Sequence, residues 1–138
     1  MTSKLNPYLH FDGNGREAME FYRSVFGGEL TASTFGDFGH PDPKAADLVM
    51  HSALEVSSGF SLMGADTPPE MEFQPGRAVT ISLSGDDDAE LRGYWDRLSD
   101  GGKVEVPLEK QTWGDVFGQC VDRYGVAWLV NIAGEPSA

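Results

Sequence analysis

The stretch Met19-Glu20-Phe21-Tyr22-Arg23-Ser24-Val25-Phe26-Gly27-Gly28-Glu29-Leu30 reads as the second half of an amphipathic helix, stopped by two glycines and followed by a strand. A near copy returns at Leu91-Arg92-Gly93-Tyr94-Trp95-Asp96-Arg97-Leu98-Ser99-Asp100-Gly101-Gly102-Lys103-Val104. In each, an aromatic pair (Phe21-Tyr22, then Tyr94-Trp95) precedes an apolar residue (Val25, then Leu98), a Gly-Gly pair and an extended run. The offset is 73 residues from Tyr22 to Trp95 and 74 from Gly27 to Gly101, about half of the 138-residue chain. Two copies of one unit therefore fill it.

Working outward, Lys4–Phe11 suits a first strand, and Asp12-Gly13-Asn14-Gly15 is turn chemistry with Asp12 or Asn14 available as an N-cap. The first helix is expected from about Arg16 to Phe26, with Ala18, Met19, Tyr22, Val25 and Phe26 on its apolar face. Glu29–Phe35 follows as a strand, Gly36–Asp47 as a loop, and Leu48–Val56 with Phe60–Ala65 as a hairpin. The prolines of Asp66–Gly76 forbid regular structure there and make it the best linker in the chain. The second copy opens with the alternating strand Ala78–Ser84. A helix then starts at Gly85-Asp86-Asp87-Asp88 and carries the stripe Leu91, Tyr94, Trp95 and Leu98. Lys103–Thr112, Val116–Asp122 and Ala127–Ile132 read as three more strands, with Arg123-Tyr124-Gly125 as the last turn. The order is strand, helix, three strands, written twice. Each half offers an open sheet with a helix on one face, so the other face is expected to meet its mate within one chain or across a dimer.

The bulk properties exclude several classes of function. A net charge of −12, from 22 acidic and 10 basic residues without a Lys/Arg cluster, argues against nucleic acid or an anionic membrane as partner. The acidity fits solubility. A single cysteine, Cys120, rules out an intrachain disulfide and a Cys-rich zinc site. The first residues lack an apolar signal region and no run is long enough to span a bilayer, which points to the cytoplasm.

The chain resembles the vicinal oxygen chelate superfamily of glyoxalase, fosfomycin-resistance and extradiol-dioxygenase proteins, and within it the PhnB-like branch. The matching stretches are Pro7–Asn14, Ala18–Tyr22 with Phe26–Leu30, His51 with Leu62–Asp66, Trp113-Gly114-Asp115 with Phe117-Gly118, and Asp122–Trp128. The resemblance implies an α+β fold of two tandem β-α-β-β-β modules, about 3–66 and 77–134, joined by the linker 67–76 into one domain. Curved mixed sheets would carry the helices on their outer faces, and a homodimer is expected. The resemblance also implies that the superfamily's enzymes hold a divalent metal through His and Glu on the first and last strands of each module, where it acts as a Lewis acid. Aligned on the helix and the final glycine turn, this chain places Pro7, Met63, Thr80 and Leu129 there. A one-residue slip brings up Tyr8, Gly64, Ile81 and Val130. None is a usual ligand, so no metal or other cofactor is expected.

The remaining candidates line a presumed cavity. His10 falls three positions past the expected ligand place, which turns its side chain to the other face. His51 begins the third strand and either points into the cavity or is a hydrogen-bonded strand histidine. His40, in a Gly/Pro loop, is expected to be solvated. Asp66 is either a cap or a polar residue at the cavity mouth. Trp113 is a pocket wall with Phe38 and Phe117, or else a core or dimer contact. In the dense polar run Glu109-Lys110-Gln111, one residue reaches inward or all lie on a solvated face. Cys120 has no activating base nearby in sequence. The first reading is a metal-free, glyoxalase-like protein binding a small organic molecule in an apolar pocket. Its walls come from Phe38, His51, Trp113 and Phe117, and its polarity from Asp66, Lys110 or Gln111. The alternatives are a lyase or dioxygenase with a shifted metal site or His51 acid–base chemistry, and an interaction module whose cavity is filled by side chains.

Overall fold

The computed structural model describes residues 4–57, 59–76 and 78–134. The chain divides into two compact units, Met1–Pro75 and Gly76–Ala138. Unit 1 runs β1 (Tyr8–Phe11), α1 (Gly15–Phe26), β2 (Glu29–Thr34), a 3-10 turn (Gly36–Phe38), β3 (Val49–Glu55) and β4 (Ser61–Asp66). Unit 2 runs β5 (Ile81–Gly85), α2 (Asp88–Ser99), β6 (Lys103–Lys110), β7 (Val116–Val121) and β8 (Ala127–Ile132). The sheets are ordered β1-β4-β3-β2 and β5-β8-β7-β6. In each, the first and last strands pair parallel and the other pairs are antiparallel. The β-α-β-β-β unit is thus present twice, as expected from the repeat.

Two strands start several residues later than their composition predicts. β1 opens at Tyr8 rather than Lys4, because Pro7 has no N–H to extend the ladder, although its carbonyl still accepts from Met63 N–H at 3.0 Å. β5 opens at Ile81 rather than Ala78, since its partner β8 begins only at Ala127, after the Gly125 turn, and Ile81 pairs with Trp128.

The helix stripe of unit 1 packs as read: Ala18, Met19, Tyr22, Val25 and Phe26 are all buried. In α2, Leu91, Trp95 and Leu98 are buried, while Tyr94 lies at the rim and donates its hydroxyl to Glu90 at 3.0 Å. The Gly-Gly pairs do more than stop helices. A Cβ on Gly28 would lie 2.2 Å from the Glu55 carbonyl, and one on Gly102 would lie 2.2 Å from that of Val121. At the same point of each unit, the chain leaving the helix crosses against the central hairpin at a distance only glycine permits.

The two helices are capped differently. The residue before α1 is Asn14, which makes no side-chain cap, and Asp12 makes none either. Asp66 does this work from the end of β4. Its Oδ1 accepts the N–H groups of Gly13 (3.0 Å) and Gly15 (2.8 Å), and its Oδ2 accepts that of Val49 (2.9 Å). In α2 the cap is local, with Asp87 accepting the Glu90 N–H at 3.1 Å. Asp66→Ala leaves three backbone donors without their acceptor, two of them in buried hydrogen bonds, and is expected to cost roughly 3 kcal/mol. Asp87→Ala, on an exposed helix end, is expected to cost about 1 kcal/mol. Urea denaturation of both variants checks the ranking, and equal losses would contradict it.

Candidate functional site

The faces of the unit 1 sheet follow from Gly64. A Cβ there would meet Met19 Sδ and the Phe11 ring, both at 3.0 Å, so this side of β4 lies against α1. Phe11 is buried on that side, and Leu9 pairs with Gly64. Strand alternation turns Tyr8 and His10, with their partners Met63 and Ala65, to the opposite face. In β3 the alternation breaks. Thr34 pairs with Val49 but Ser33 pairs with His51, leaving Met50 as an extra residue. This β-bulge keeps Val49 and Ser52 buried on the helix side and turns both Met50 and His51 outward.

The result is a cluster on the face away from the helix. Tyr8 Oη lies 3.1 Å from His51 Nδ1, and the Tyr8 ring centroid is 5.4 Å from that of His10 and 5.8 Å from that of His51. Burial pushes the Tyr8 phenol pKa up, so the hydroxyl keeps its proton over the neutral pH range. Beside the cluster lies an open groove of about 490 Å³. Its rings are Tyr8, His10 and Phe35, its thioethers Met50 and Met71, and its floor includes Ala65. Thr67, Glu72 and Gln74, from the proline-rich segment, supply the polar edge.

A structured loop supports this edge. His40 is not solvated as expected. Its Nδ1 accepts the Asp42 N–H at 3.1 Å, its Nε2 lies 3.5 Å from Glu70, and its ring stands edge-on to Phe35 at 5.5 Å. The imidazole thus offers the Gly/Pro loop a side-chain acceptor for the Asp42 N–H and an edge-on ring contact for Phe35. At the start of the loop, Thr34 N–H donates to Asp37 at 2.9 Å, and this bond holds the Asp37 carboxyl below the usual range.

The sequence-derived residues fall as follows. His10 lines the groove, contrary to the expected opposite face, because the strand begins at Tyr8 and both residues share its outward side. His51 reaches the cluster through Tyr8 and does not itself line the groove. Phe38 is 68% exposed on the 3-10 turn, and Phe35 takes the wall position instead. Asp66 contributes to the lining, yet its carboxylate is turned to the helix N-terminus. The other four belong to unit 2. Lys110 is exposed at the end of β6, and the Gln111 amide donates to the Glu109 carbonyl at 2.9 Å. Trp113 and Phe117 come together edge-to-face at 6.0 Å, with Trp113 62% exposed. Beside them Asp115 accepts from Asn131 Nδ2 (3.0 Å) and Gly134 N–H (2.8 Å), which hold its carboxyl low. Phe35, Met50 and Met71 are absent from the sequence-derived candidates, and Tyr8 enters them only as the one-residue slip of the first strand. The only signals for them were alternation from Tyr8 and an unreadable bulge.

The donor set does not fit the divalent ion of the superfamily's enzymes. At the aligned strand positions, unit 1 presents a phenol and a thioether, Tyr8 facing Met63, and unit 2 presents Ile81, Leu129 and Val130. Among the described residues no three His, Cys, Asp or Glu side chains gather as a metal-binding group. Cys120 is likewise unsuited to nucleophilic work, being 1% exposed, with its thiol pushed up to about 11 chiefly by burial and further by Asp122 and Glu105. The folded state thus keeps a proton that the unfolded chain releases from about pH 9 upward. The associated stability is complete below pH 9 and falls as pH rises toward 11. Iodoacetamide at pH 8 is expected to spare Cys120 in folded protein and to label it in urea. Labelling at equal rates in both would contradict the buried, protonated thiol.

Comparison with known proteins agrees with this architecture. The sequence profile of the family described as 3-demethylubiquinone-9 3-methyltransferase matches residues 3–131. The solved structure of protein PA1353 from Pseudomonas aeruginosa is 38% identical, with a TM-score of 0.87 over 97% of this chain and 100% of that one. A PhnB protein from Bacillus cereus, described as a putative 3-demethylubiquinone-9 3-methyltransferase, is 26% identical. Its TM-score is 0.73 over 95% of this chain and 100% of that one. The fosfomycin resistance protein FosX from Listeria monocytogenes shares the fold at 12% identity and a TM-score of 0.61, over 96% and 94% of the two chains. With the β-α-β-β-β repeat in place and the profile spanning nearly its whole length, the chain belongs to this PhnB-like family, the 3-demethylubiquinone-9 3-methyltransferase family by its description, and shares its fold with FosX.

Proposed function

We propose that the protein is a metal-free, glyoxalase-like binding protein that takes a small organic molecule in the apolar groove of unit 1. The observation that carries this reading is the Tyr8–His51 hydrogen bond, set at 3.1 Å beside a groove of about 490 Å³ walled by aromatic and thioether side chains. Small-molecule sites have this size, with an apolar lining and few polar groups to orient the ligand. The bulge at Met50 supports it, since bulges re-aim side chains beside functional sites. In the proposed complex Tyr8 and His10 contact the ligand, while His51 fixes the direction of the Tyr8 hydroxyl.

A thermal-shift panel of small aromatic alcohols, quinones, carboxylates and amines tests the reading. At least one compound is expected to raise the melting temperature saturably. Ala65→Phe, which fills the floor of the groove, is expected to abolish that shift, while Phe38→Ala, outside the groove, leaves it intact. No saturable shift, or a shift that survives in a folded Ala65→Phe protein, would overturn the proposal.

We further propose that the functional form is a homodimer and that the exposed Trp113 ring, resting on Phe117, is one of its contacts. Exposed aromatic anchors of this kind are typical of interface cores. Sedimentation velocity is expected to show a dimer that Trp113→Ala weakens at least tenfold, and a monomeric wild-type protein would refute this.

A further inference from the structure

We infer that the groove of unit 1 selects a small organic cation, an ammonium group carried on an apolar body. This inference rests on the reading of the groove as a small-molecule site and adds the charge of the ligand. Tyr8 and Phe35, with His10 beside them, line the groove, and the π-face of a tyrosine or phenylalanine ring attracts a cation held within about 6 Å of it. The thioethers of Met50 and Met71 fill the space between with soft, polarisable contact that suits an apolar body. Glu72 stands on the wall, and among the described lining residues there is neither lysine nor arginine.

The two neighbouring carboxylates are engaged otherwise. Both oxygens of Asp66 accept backbone N–H groups, and Glu70 lies beside His40. Glu72 is therefore the carboxylate placed to meet a ligand, in a chain whose net charge of −12 already draws cations toward it. An anionic ligand would enter the same groove against Glu72 and against the overall field, with no guanidinium or ammonium in the described lining to receive it.

The test compares three probes that share a benzyl group and differ in charge: benzyltrimethylammonium, benzyl alcohol and phenylacetate. Affinities are measured by calorimetric or NMR titration at pH 7.5 in low salt. Benzyltrimethylammonium is expected to bind about tenfold more tightly than benzyl alcohol, with phenylacetate the weakest. Glu72→Gln is expected to remove most of the cation's advantage while leaving benzyl alcohol unchanged, and 0.5 M NaCl to reduce it in the wild type. Saturable binding of benzyl alcohol without preference for the cation, or a cation affinity indifferent to Glu72→Gln, overturns the inference and leaves the binding groove standing. Failure of all three probes to saturate the folded protein overturns both.

Discussion

Unit 1 depends on one carboxylate. Asp66, 3% exposed, ends β4 and accepts N–H groups from the turn before α1, from the first residue of α1 and from the first residue of β3. A buried carboxylate is tolerated when such donors replace its water, and each charge-assisted bond is stronger than a neutral one. The effect is to tie three places to the end of β4 with one side chain: the turn after β1, the start of α1 and the entry of β3. Because β3 starts where Asp66 holds it, the bulge at Met50 falls beside Tyr8, and His51 comes within 3.1 Å of the phenol. The groove residues Tyr8 and Met50 thus stand on two strands that this carboxylate ties together, one by the turn after it and the other by its first residue.

Unit 2 repeats the topology without repeating the tie. The place equivalent to Asp66 is Ile132, as the matching bonds Thr67 N–H to Phe11 and Ala133 N–H to Gly85 show. Its helix relies on Asp87, and its buried carboxylate lies elsewhere. Asp122 accepts the N–H groups of Tyr124 (2.8 Å) and Val126 (3.1 Å), shaping the last turn, and the indole N–H of Trp128 (2.8 Å), which lets that large ring be buried. What the two units share is the close crossing at Gly28 and Gly102. The shared feature belongs to the scaffold, and the unshared carboxylates show how each copy has been specialised.

These contrasts explain what was legible in the chain. The repeat was readable because the steric demand at the Gly-Gly pairs and the 3.6-residue stripe are local patterns. The N-cap was misread because the acceptor for α1 lies 51 residues away from Gly15 in sequence, and no nearby pattern reports it. The face of His10 was misread because the strand phase was counted from Pro7, which stands outside the strand. Met50 escaped notice since a bulge leaves no mark in hydrophobic alternation. Phe38 and Phe35 differ by a single 3-10 turn, which sends one ring to solvent and the other to the groove. The fold was therefore largely legible, while the groove, built from irregularities, was not.

The central claim is that function belongs to the face of unit 1 opposite α1. Amide chemical-shift mapping of ¹⁵N-labelled protein during titration with a groove ligand tests it most directly. The account predicts perturbations concentrated at Tyr8, His10, Met50 and Ala65, with the Trp113–Phe117 region silent. Perturbations centred on Trp113–Phe117, or spread along the exposed side of α1, would contradict it.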